Sequence, residues 1–281
     1  MMKRRLHDSL LSAVPISLAL LLFVPILGIR ARAQQPDAKS IVASAVNTEL
    51  TSDLNDHTPF MYLDHDVTPD HDTLFYVVET PQGNLKRKLQ DHGHSLNQAE
   101  LTAENQRIQD LLHDSAAVAR RRHDESHDDD QAAQMLKLLP RAYLWTVAGE
   151  KGDLITLNFK PDPSFTPGSL EARVLSAMAG ELVVARHENR IRSIKGTLVN
   201  DVTFAWGLFG RLRKGGSFEV QRREVAPNHW QMTENHTHIE GKALFFKTIG
   251  SQEDEVRTDF KISRAQNIQQ AWEIMQQHPA P

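Results

Sequence analysis

Glu255-Val256-Arg257-Thr258-Asp259-Phe260-Lys261-Ile262 is the stretch that decides the fold, because β-favouring and charged residues alternate in it at a period of two. A strand written this way predicts a sheet with one covered and one wet face. Val256, Thr258, Phe260 and Ile262 should point one way, and Glu255, Arg257, Asp259 and Lys261 the other. Working outward, candidate strands lie at 141–148, 153–160, 181–187, 190–200, 217–226, 229–240 and 243–249. Turns such as Gly149-Glu150-Lys151-Gly152, Ala226-Pro227-Asn228-His229 and Glu240-Gly241-Lys242 separate them. Runs near 60–66, 73–80 and 84–91 bring the set to about eleven strands, and short hairpins between most of them predict an antiparallel meander.

The remaining text is helical. Residues 38–56 repeat Ile41, Val42, Ala45, Val46, Leu50 and Leu54 at spacings of three and four. Residues 95–139 carry Leu101, Ile108, Leu111, Leu112, Ala116 and Val118 on one stripe, then a nearly apolar-free stretch from Arg120 to Asp130, and Pro140 is expected to end the helix. A short helix at 169–178 and a terminal one with Ile268, Trp272 and Met275 complete the set. A strongly twisted sheet of this size tends to curl, so the expected class is α+β: a large curved antiparallel half-barrel with helices covering its concave face.

Composition bounds the chemistry. The 281 residues are 40% hydrophobic and 24% charged, ordinary for a globular chain, and contain no Cys, which removes thiol nucleophiles, cysteine metal ligands and disulfides. Lys3, Arg4 and Arg5 precede an apolar stretch from Leu10 to Ile29, followed by Ala31-Arg32-Ala33. This reads as a signal peptide over residues 1–33, cleaved after Ala33, which leaves a single domain over 34–281 with a charged helical insertion at about 95–139. Cleavage would remove Lys3, Arg4, Arg5, Arg30 and Arg32 together with Asp8, taking the formal charge from −4 to −8. Such a balance argues against a nucleic-acid partner. The expected location is the periplasm.

Leu154-Ile155-Thr156-Leu157-Asn158-Phe159-Lys160-Pro161 and Gly241-Lys242-Ala243-Leu244-Phe245-Phe246-Lys247-Thr248 resemble a family of exported, mostly uncharacterised acidobacterial proteins. With the leader, the meander and the inner helices, the architecture is also similar to the outer-membrane lipoprotein-sorting superfamily, which holds periplasmic lipoprotein carriers and a lipid-sensing regulator of envelope stress. That resemblance implies an open half-barrel with an apolar cavity for acyl chains. The long charged region 95–139 departs from the carriers, and no carrier residue maps onto a numbered position here.

Phe204-Ala205-Trp206-Gly207-Leu208-Phe209-Gly210-Arg211-Leu212-Arg213-Lys214 joins two strands, and an apolar connection of this length docks somewhere, either in the protein's own core or at a ligand or bilayer. Phe204, Trp206, Leu208 and Phe209, with Trp145, Phe159, Phe245 and Phe246, are therefore the candidate ligand-binding residues. His123 and His127 stand one helical turn apart, His236 and His238 alternate with Glu234 on one strand, and His57, His65 and His71 lie among aspartates. Each set offers metal or proton chemistry, and each also fits a solvated or hydrogen-bonded surface. No nucleophile elbow, phosphate-binding or dinucleotide-binding motif occurs. The expected function is a non-enzymatic, cofactor-free periplasmic carrier or binding protein for a lipid, a lipoprotein acyl chain or another apolar ligand, with transient membrane or envelope-protein contact. The alternatives are an envelope stress-sensing or interaction module and a His-dependent metal protein.

Overall fold

The computed structural model describes residues 37–204, 210–242 and 252–277. The expected leader, the 243–249 strand and the tip of the apolar connection lie outside them. Helix α1 (Ala38–Asn55) starts where the Asp37 side chain accepts from Ser40 N–H. Strands β1 (Phe60–Val67), β2 (Asp72–Val78), β3 (Leu85–Asp91) and β4 (His94–Ser95) follow as hairpins. The chain then crosses through α2 (Gln98–His113) and α3 (Ser115–Ala142) to the far edge. There β5 (Tyr143–Lys151), β6 (Leu154–Pro161), α4 (Leu170–Leu175), β7 (Met178–Ala185) and β8 (Arg190–Leu198) lead back toward the middle. Short strands β9 (Val202–Phe204), β10 (Gly210–Leu212) and β13 (Gly241–Lys242) make a separate small sheet, while β11 (Ser217–Ala226), β12 (His229–His238) and β14 (Gln252–Ile262) rejoin the large one, and α5 (Ile268–Gln277) follows.

Eleven described strands form this antiparallel sheet in the order β4-β3-β2-β1-β14-β12-β11-β8-β7-β6-β5. It is open, with β4 and β5 as its edges, a curved half-barrel of the α+β class. The last long strand pairs with the first, so β1 and β14 are neighbours in mid-sheet. Residues opposite one another share a face. Leu182, Ile194, Val220, Asn235, Glu255 and Asp66 therefore form one inner row across β7, β8, β11, β12, β14 and β1. Helix α1 covers the β5–β8 part of that face, where Ile41, Val42, Ala45 and Val46 pack on Leu157, Phe159 and Leu182. On the opposite face, α2 and α5 cover β2 and β3, with Ile108, Trp272 and Met275 against Tyr76, Val78 and Leu85.

Four local departures from the sequence reading have physical causes. The single helix expected over 95–139 is two: Asp114 ends α2 through its backbone N–H to Leu111 O and starts α3 by accepting from Ala117 N–H. Pro140 does not end α3, which runs on to Ala142, because in a last turn the ring forfeits only one hydrogen bond and its φ is already helical. In α1 the apolar stripe stops short of Leu54, which is 76% exposed, while Glu49 is fully buried. In β14 the strict alternation breaks. Asp259 adopts φ 58°, and two residues oppose Tyr62 where one is normal, which is a β-bulge. Phe260 is thereby turned onto the face of Arg257 and stacks on Tyr62 at 4.9 Å, whereas Ile262 is half exposed.

Candidate functional site

Two groups of polar side chains stand out on the large sheet, one on each face. On the inner face, Asp64 of β1 is fully buried. Its Oδ2 accepts from Lys86 Nζ at 2.8 Å, and its Oδ1 lies 3.9 Å from Arg257 Nε without a hydrogen-bond partner. Arg257 binds Glu255 Oε1 through Nε and Nη2 at 2.8 and 2.6 Å and lies over the Tyr62 ring at 5.3 Å. Two residues along β1, Asp66 receives His71 at 3.2 Å on Oδ2 and leaves Oδ1 buried and unpartnered. Burial pushes the Glu255 carboxyl above its ordinary range, the Arg257 charge opposes this, and the nearby Asp64 carboxylate adds to the rise. Burial works against the Arg257 charge, but Tyr62, Glu255 and Asp64 outweigh it and hold the guanidinium more firmly protonated. The cluster balances two cations, Lys86 and Arg257, against its central carboxylates, and its two acceptor oxygens without a partner are themselves buried. Tyr62, Phe75 and Phe260 flank it, and on β11–β8–β6 the same face continues as Val220, Ile194 and Leu157.

Helix α1 is fastened between these halves by Glu49. Its Oε1 accepts from Arg190 Nε at 3.1 Å and Ile191 N–H at 2.7 Å, and its Oε2 from Arg190 Nη2 at 2.8 Å with Arg222 Nη2 at 3.1 Å. Arg190 also reaches the Ser52 hydroxyl and lies over Trp230. A carboxylate so deep in an apolar helix stripe is tolerated only because every lone-pair direction finds a donor.

On the outer face, cross-strand register lines up Asn158, Glu181, Lys195, Glu219, His236 and Asp254 over six adjacent strands. They line a groove of about 650 Å³ with Ser217, Thr197 and His238 beside them. Lys195 pairs with Glu181 at 3.2 Å, and Asp254 bridges His236 Nδ1 at 2.6 Å and His238 Nε2 at 3.1 Å. The Asp254 bond raises the His236 pKa against a smaller opposing effect of burial. Burial pushes Asp254 upward, but hydrogen bonds from His236 and His238 hold it below the ordinary range. Beneath the groove, Gly180 and Gly196 lie between Phe159 and Phe218 on the inner side, and a Cβ at Gly196 would come within 2.6 Å of Phe218.

The residues singled out from sequence fall in different places. Phe159 is buried against Tyr143 and Trp145, with ring centroids 4.5 and 5.2 Å away, and Trp145 Nε1 donates to Leu139 O. Both belong to the core under α1. Phe204 lies in β9 of the small sheet, and Trp206, Leu208, Phe209, Phe245 and Phe246 lie outside the described residues. The histidines near the first hairpin pair singly with carboxylates, His65 with Asp72 and His71 with Asp66. Among the described residues, no group of three or more His, Asp or Glu is arranged to hold a metal ion, and no helix is long and apolar enough to cross a membrane. Sequence reasoning missed the Asp64–Glu255 cluster, which depends on register between β1 and β14, strands from opposite ends of the described sequence. It also missed Glu49, whose signal was present: an acid at a position the helical period assigns to the apolar stripe. No family model matches the chain, and no curated protein sequence matches it.

Proposed function

We propose that this protein is a non-enzymatic binding or carrier protein of the cell envelope that takes an amphiphilic ligand on the inner face of its half-barrel. One observation carries the reading. On a single concave surface, apolar side chains from β6, β8 and β11 share the face of the aromatic and ionic patch of Tyr62, Phe260, Asp64, Lys86 and Arg257, with Asn235 of β12 between the two parts. A hydrocarbon tail would gain roughly 25 cal/mol per Å² buried on the first part. A polar head would meet the partly exposed Lys86 ammonium on the second. Helix α1 occupies the apolar half, so uptake of a tail requires α1 to move away, and Glu49 is the contact that resists this.

Native mass spectrometry of gently purified protein, with a fluorescent fatty-acid binding assay, tests the proposal. Co-purifying amphiphile or saturable uptake is expected, and uptake should rise in a Glu49→Gln variant whose α1 is less firmly held. A uniformly ligand-free protein that refuses the probe in both forms would remove the carrier reading. It would leave an envelope interaction module as the better account.

A further inference from the structure

The exposed side of α3 carries a charge order with a twofold property. In Arg120-Arg121-Arg122-His123-Asp124-Glu125-Ser126-His127-Asp128-Asp129-Asp130 the three outer positions on each side of Glu125 are opposite in sign, each arginine mirrored by an aspartate, His123 is mirrored by His127, and Asp124 by the neutral Ser126. Helical spacing puts Arg120, His123, His127 and Asp130 on one stripe, and all four are exposed. Glu125, by contrast, turns toward the β2–β3 connection and accepts from Asn84 N–H at 3.3 Å.

These charges are poorly used within one copy of the chain. Arg120 has only a 3.9 Å approach to Asp114, and among the described residues no ion pair reaches Asp128 or Asp130. Desolvation, followed by repulsion from Asp128 and Asp130, raises the Asp129 carboxyl, as expected of an acidic run with no neutralising cation. The basic block also precedes the acidic one, the less favourable order for pairs within a helix.

We propose that α3 is a self-association face on which a second copy of this chain docks with its α3 antiparallel, around a twofold axis through Glu125. In that arrangement residue 120 of each copy faces residue 130 of the other, and residue 123 faces residue 127. Two Arg120–Asp130 pairs and two His123–His127 contacts form at once, as an isologous interface demands. A parallel arrangement would set arginine against arginine and aspartate against aspartate. A partner of a single charge sign would be repelled by half of the stripe, so the reversed copy is the occupant that satisfies both blocks. The contacts are solvent-exposed ion pairs, so association is weak and sensitive to salt.

Sedimentation velocity on the whole purified chain tests this. A concentration-dependent dimer is expected at low salt and should dissociate at high salt. Arg120→Asp and Asp130→Arg should each weaken the dimer by about tenfold or more, since each turns two attractive contacts repulsive. An equimolar mixture of the two variants should recover a dimer, because Asp at 120 then meets Arg at 130 across the interface. Both positions are exposed, so unchanged thermal melting would show that the variants fold. A monomer at all concentrations, a dimer indifferent to either reversal, or a mixture that fails to recover would each overturn the proposal. None of these outcomes depends on whether the inner face binds a ligand.

Discussion

At the scale of single residues, burial of ionisable groups sets the sharpest expectations. Glu49 is fully buried with Arg190 and Arg222 around it, so removing its charge leaves two guanidinium groups deprived of their counter-ion. Breaking a buried pair in this way costs about 3–5 kcal/mol. Glu49→Gln should lower the urea midpoint accordingly, whereas Glu273→Gln on the exposed side of α5 should leave it nearly unchanged. His236 and Asp254 give a pH signature. With its pKa raised, His236 adds stability that is fully present below the ordinary imidazole value of 6.5 and fades as pH rises through its folded value. With its pKa lowered, Asp254 adds stability present above 3.8 and lost as pH falls through its folded value. The couple is therefore strongest between those limits. Asp254→Asn should cost more stability at about pH 5.5 than at about pH 8.5, measured by urea titration. An equal cost at both would contradict the His236–Asp254 bond.

At the scale of elements, close approach and capping decide which substitutions matter. Gly180 and Gly196 sit where the sheet presses its own backbone and the rings of Phe159 and Phe218 together. A Cβ at Gly180 meets the Lys195 carbonyl, which cannot swing away, while at Gly196 it meets the edge of a phenyl ring, which can turn. Gly180→Ala should therefore be the more damaging, with Gly196→Ala costing about 1–3 kcal/mol by overpacking, as compared by thermal melts of the two variants. The elements themselves were largely legible from period. Leu154 to Phe159 and the 190–198 run show up as strands because one face is buried under α1, and α1 and α5 as helices because each has a single apolar stripe. What sequence left hidden was whatever depends on partners across the sheet. The Asp259 bulge reverses Phe260 in a stretch that reads as perfect alternation, and the row from Asn158 to Asp254 exists only once six registers are set. Of the aromatic residues picked as ligand contacts, Trp145 and Phe159 were visible as apolar. Whether they faced a cavity or the core depended on α1, which no local pattern reports.

At the scale of the whole molecule, connectivity matters more than any side chain. The first hairpins grow outward from β1 to one edge, the strands after α3 grow inward from the other, and in the ladder of the described sheet the two blocks are joined through β14. A chain truncated after Lys242 would lose that strand and α5 together, leaving β1 and β12 each with an unpaired flank and Tyr76 and Val78 covered by α2 but stripped of Trp272 and Met275. It should fail to give a cooperative unfolding transition, where the full chain gives one. Circular dichroism melts distinguish the cases. The same connectivity dictates a timetable. During synthesis, everything up to β12 emerges before the central seam can zip, so the nascent polypeptide passes through a stage with two raw margins inviting promiscuous pairing. Partial folding from the N-terminus can already close the core under α1, yet the two halves of the sheet stay unjoined until the last strand arrives.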